Sequence, residues 1–125
     1  MLESYKKWID TWVDLSRESV SASRIREHGH PIRMNGNAAA LSSSEQHIQA
    51  VCLTMNAEQR NVLELLLEQE RSSAIHDVLA ELEHQAGEDK PALYFSGCRL
   101  GGSPYASFHF DFVSRQEGDE WPDED

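Results

Sequence analysis

The feature that most constrains this chain is a helical pattern that runs across residues 57–86. Val62, Leu63, Leu66, Leu67, Ile75, Val78, Leu79 and Leu82 recur at spacings of three and four, the period of a helix face. Asn56 stands just ahead of the run with Gln59 three residues on, a reciprocal capping arrangement. Gly87 closes it, as glycine commonly does at helix ends. One straight helix of this length would measure about 45 Å. A globule of 125 residues has a radius of gyration of about 14 Å and a diameter of roughly 36 Å. Either the helix breaks, or its overhang packs on a second copy. Serine caps helices well and fills their interiors poorly, which favours a joint at Ser72 and Ser73, beside the interruption at Gln69, Glu70 and Arg71.

The remaining segments supply partners for that helix. Tyr5, Trp8, Ile9, Trp12, Val13 and Leu15 share one face of an amphipathic helix over residues 2–20, with two tryptophans four residues apart. Residues 21–44 lose this periodicity and collect Gly29, Pro31, Asn35, Gly36 and Asn37, so they read as a long irregular connection. A further helix spans residues 45–55, with any of Ser42, Ser43 or Ser44 able to cap it. Beyond residue 90 the period changes to two: residues 92–95 and 105–113 alternate, with Phe108, Phe110 and Phe112 on one face. Gly97, Gly101, Gly102 and Pro104 lie between them, the layout of an antiparallel hairpin. The expected fold is α+β: a mainly helical layer of three to four helices carrying a C-terminal antiparallel β-hairpin. Trp8, Trp12, Leu63, Leu66, Ile75, Leu79, Phe108, Phe110 and Phe112 form its expected core.

Charge narrows the function. Twenty-two acids oppose 11 bases, for a net charge of −11, so a phosphate backbone would meet net repulsion and nucleic acid is not an expected partner. Six of those acids fall within residues 116–125, where there is no base. The expected organisation is therefore one compact domain over residues 1–116 and an acidic tail over residues 117–125. The concentration of charge in one short tail also argues against a mimic of DNA. No apolar run reaches the roughly 18 residues needed to span a bilayer, and Cys52 and Cys98 form no CxxC pair. No membrane partner and a reducing, cytoplasmic location are expected.

Several polar residues occupy unusual places. Glu70, Arg71, His76 and Asp77 lie on or beside the long helix where its apolar stripe is interrupted. His109 and Asp111 alternate with the three phenylalanines, so on a strand they would project together from the opposite face. A histidine beside a carboxylate suits acid–base chemistry, which makes His76, Asp77, His109 and Asp111 the catalytic candidates. Glu70 and Arg71 are binding candidates, with Arg71 as the cation that would hold the carboxylates together. Trp121, set among acids, is either pinned to the core or docked on a basic partner. His28, His30 and the Glu81-to-His84 spacing do not complete a metal site, and no motif for a cofactor is present; neither metal nor cofactor is expected.

Residues 68–71, 74–79, 108–115 and 117–122 resemble a family of small, uncharacterised bacterial domains. The resemblance covers the second half of the chain and implies a compact domain without assigning an activity. Together these readings point to a non-catalytic interaction module, immunity-like or adaptor in kind, with an acidic surface for a basic protein and a homodimeric state. The alternative is a small enzyme or ligand-binding domain built on the His/Asp cluster.

Overall fold

In the computed structural model, which describes residues 2–33, 40–86, 93–100, 104–105 and 107–123, the long helix does not break. The helices are α1 (Leu2–Arg17), α2 (Val20–His28), α3 (Ser43–Leu53), α4 (Ala57–Gln85) and α5 (Phe108–Gln116), with a hairpin of β1 (Tyr94–Phe95) and β2 (Cys98–Arg99) before α5. The joint expected at Ser72 and Ser73 is absent, and Ser72 instead accepts a 2.7 Å hydrogen bond from the Gln116 side chain. Asn56 and Gln59 form the expected reciprocal cap, with bonds of 2.9 and 3.0 Å. Gly87 lies outside the described residues. No helix among them is long and apolar enough to cross a membrane.

The chain divides into two compact units: Met1–Arg17 with Ser72–Asp125, and Glu18–Arg71. In the first, Tyr5, Ile9 and Val13 lie four residues apart on α1 and pack with Leu79, Leu100, Phe108 and Phe112. Trp8, Trp12, Ile75, Leu82 and Trp121 cover this core while partly exposed. The α+β class holds, with an antiparallel hairpin near the C-terminal end, but its strands are not the expected pair. Tyr94 pairs with Arg99 and Phe95 with Cys98, around a two-residue turn in which both Ser96 and Gly97 have positive φ, as the right-handed strand twist favours.

Residues 108–113, expected in a strand, begin helix α5. Ser107 caps it by accepting from the Phe110 N–H, and Glu83 accepts the Phe108 N–H at 3.2 Å. Phe108 and Phe112, one turn apart, face the core, whereas Phe110 turns outward and is 53% exposed. Alternation of aromatics satisfies period two, but a capped N-terminus and an i, i+4 pair satisfy a helix as well.

In the second unit the expected long loop contains helix α2. Its N-cap is Ser19, whose side chain accepts from Ala22 N–H, and it closes on Gly29 at φ 80°, a left-handed conformation that glycine adopts without strain. Ser42 and Glu45 form a complete capping box at the start of α3. Arg60 donates to the carbonyls of Cys52 and Leu53, satisfying the end of that helix. Two of the three arginines between residues 24 and 33 pair within the unit: Arg26 reaches Glu64 and Glu68 at 3.0 and 3.6 Å, and Arg33 reaches Glu45 at 3.3 Å. Leu63 is half-buried here, but Leu66, expected in the core, is exposed.

Candidate functional site

The polar architecture of the first unit centres on Asp111. Its carboxylate is fully buried, and accepts hydrogen bonds from the Tyr5 hydroxyl and, at 3.0 Å, from the Tyr105 backbone N–H. A carboxylate removed from water requires such donors. Here they tie α5 to α1 and to the segment leading into α5.

A second group lies along the same two helices. Arg115 of α5 donates to Asp10 of α1 at 2.9 Å and to the Asp119 carbonyl, and its guanidinium lies 5.2 Å from the Trp121 ring centroid. The Trp121 ring stacks on Tyr105 at 5.6 Å and meets Tyr5 edge-on at 6.2 Å. Its indole N–H points to Asp10 at 3.5 Å, while the Tyr105 hydroxyl donates to the Glu120 carbonyl. Burial, then the negative charge of Asp119, raises the Tyr105 phenol above its ordinary value of 10.0. These contacts fold residues 117–123 back onto the unit and leave Glu117, Asp119, Glu120 and Asp123 exposed. A cleft of about 400 Å³ lies alongside, lined by Asp10, Val13, Asp14, Arg17 and Arg115.

The catalytic candidates are divided. His76 of α4 and His109 of α5 meet edge to face, with ring centroids 5.2 Å apart. His76 lies 3.4 Å from Asp77 on its own helix, and His109 lies 3.3 Å from the Ser107 hydroxyl. Asp111, two residues from His109 on α5, projects to nearly the opposite side of that helix, where it meets Tyr5 and Tyr105. The strand geometry that would have aligned His109 with Asp111 is absent. None of these four residues lines the cleft beside Arg115. Glu70 and Arg71 belong to the second unit's part of α4, Glu70 exposed and Arg71 half-buried.

In the second unit His30 is buried; its Nδ1 accepts the Ile32 N–H at 3.2 Å and its Nε2 meets the Gln49 amide at 3.2 Å. Both ring nitrogens are thus engaged within the fold. Among the described residues, no group of three His, Cys, Asp or Glu side chains could hold a metal ion. Sequence reasoning missed Tyr5, Asp10, Tyr105 and Arg115. Their partners lie as much as 111 positions away, and only Trp121 amid its acids gave a local signal.

The fold and its braced polar groups define a mainly helical α+β protein whose aromatic core joins α1 to α5. The chain belongs to the family of unknown function DUF6547, whose model matches residues 1–123. Membership thus extends over nearly the whole length, correcting a resemblance confined to the second half. No curated protein and no solved structure matches the chain.

Proposed function

We propose that this chain is a non-catalytic interaction module that presents the acidic surface of its first unit to a basic protein. What carries the proposal is the clamp on Trp121. Tyr105, Tyr5 and Arg115 hold the indole, so the surrounding acids are displayed from a fixed backbone and do not trail from a loose end. Preorganisation lowers the ordering penalty of binding, and like-signed surface charge steers an oppositely charged partner. The first unit contains 15 acids against 6 bases, and Asp111, the carboxylate best shielded from water, is committed to bracing helices. The free thiols of Cys52 and Cys98 fit a cytoplasmic location.

The test is a photo-reactive phenylalanine analogue at Asp123, irradiated in the cells that make the protein. One dominant adduct with a protein of high isoelectric point is expected. Replacing Glu117, Asp119 and Glu120 by Gln, Asn and Gln should lower its yield about tenfold or more. Adducts only with neutral or acidic proteins, or a yield indifferent to charge removal, reject the proposal.

The ligand-binding alternative is supported by the contact between His76 and His109 beside Ser107 and Asp77. The interaction module predicts an unchanged adduct in H76Q and H109Q. Loss of the adduct in both would move the recognition site to the histidine pair.

A further inference from the structure

A helix needs one apolar face to join its own globule, yet the first half of α4 carries two. Leu63 and Leu67 are half-buried within the second unit. Val62, Leu65 and Leu66 project away from that face and are 53%, 59% and 56% exposed. Glu58, Val62, Leu65 and Gln69 follow one another at spacings of four, three and four, which is the seam along which two helices pack knobs into holes. Glu58 and Gln69, at the two ends of this seam, are exposed as well.

We propose that this seam is occupied by the same seam of a second copy, running antiparallel. The seam is complementary to itself when two copies run antiparallel, Val62 meeting Leu65 and Glu58 meeting Gln69, and charge places the contact. Two copies of a chain with a net charge of −11 repel, and a two-fold contact brings identical surfaces together, so association must use the least charged part of the molecule. The second unit holds 7 acids against 5 bases, while the first holds 15 against 6. Within the second unit, Arg26 and Arg33 are paired with Glu64, Glu68 and Glu45, and of the four seam positions Glu58 alone is charged.

Chain direction follows from the seam itself. A parallel pair would set the two Glu58 carboxylates abreast, and like charges side by side repel. Antiparallel, Val62 of each copy layers on Leu65 of the other, and each Glu58 meets the other copy's Gln69, whose amide donates to the carboxylate. Those two polar closures fix the register, as a buried polar position does in paired helices. Leu66 of each copy lies beside the central layers. A contact of this modest extent belongs to the weaker class of interfaces.

Sedimentation of the full chain from about 1 to 200 μM should show the weight-average mass rising from 14.2 kDa toward twice that value. Added salt should leave the association unchanged or tighten it, because screening weakens net repulsion. L65E, at an exposed position, should remain monomeric throughout while its circular dichroism matches the parent. Direction is read by mixing V62C and L65C chains in a C52A, C98S background: antiparallel pairing gives mostly the mixed disulfide. A constant 14.2 kDa, or L65E dimers as strong as the parent's, rejects the seam as an interface. Preference for the two like disulfides rejects its direction. None of these readings depends on the acidic face of the first unit.

Discussion

The two units reach opposite settlements between charge and apolar surface. The first holds most of the excess negative charge and encloses its large core side chains, with Tyr5, Ile9, Leu79 and Phe112 almost wholly removed from water. The second is nearly balanced in charge, uses Arg26 and Arg33 in internal pairs and Arg60 at a helix end, and leaves Ile48, Val51, Leu53, Val62, Leu65 and Leu66 exposed. Net charge keeps a surface solvated and separate from its copies. A balanced surface with exposed aliphatic groups lacks that protection and suits contact with another protein. The two proposals made above, recognition by charge and association by apolar packing, thus fall on different stretches of one chain.

The largest expected effect tests the closed core of the first unit. F112A should lose about 3–5 kcal/mol in denaturant unfolding, whereas F110A should lose about 1 kcal/mol or less. Similar losses would return both rings to one face and restore the strand. Next, Y5F removes a donor from the buried Asp111 carboxylate and should lose about 1–3 kcal/mol. A neutral result would mean that Tyr5 contributes only its ring.

In the second unit the corresponding supports are local. N56A should lose about 1 kcal/mol, with faster hydrogen exchange confined to the first turn of α4; faster exchange throughout α1 and α5 would contradict this division. The smallest effect concerns Glu45. The hydrogen bond from the Ser42 backbone N–H, followed by Arg33, holds its carboxyl below the ordinary 4.5. A lowered folded-state value means that this contribution is fully present above about pH 4.5 and fades as pH falls through the lowered value. Carbon NMR should show Glu45 titrating below 4.5, and R33M should move it upward. Titration at the ordinary value would reject the capping box.

Much of the helical scaffold was legible because its signals are local. Asn56 with Gln59 needs only four consecutive residues, and the spacing of Tyr5, Ile9 and Val13 identifies a core face without knowledge of its partner. Helix α2 was hidden by its weak amphipathicity, although Ser19 and Gly29 marked both ends. The last helix was misread because Phe108, Phe110 and Phe112 alternate; Ser107 as a cap was the competing clue. The Asp111 brace and the Asp10–Arg115–Trp121 clamp were beyond reach, since they join side chains more than a hundred positions apart. Of the proposed polar cluster, His76 and His109 meet directly across two helices.

The pairing of α1 with α5 also sets an order of events during synthesis. The second unit is one continuous stretch of chain, but Tyr5, Ile9 and Val13 find Phe108 and Phe112 only after some hundred further residues have been made. At about 5–20 residues per second that interval is roughly 5–20 s. Throughout it the apolar face of α1 lacks its final cover, so nascent chains halted before residue 108 should recruit chaperones through α1, and release should coincide with emergence of α5.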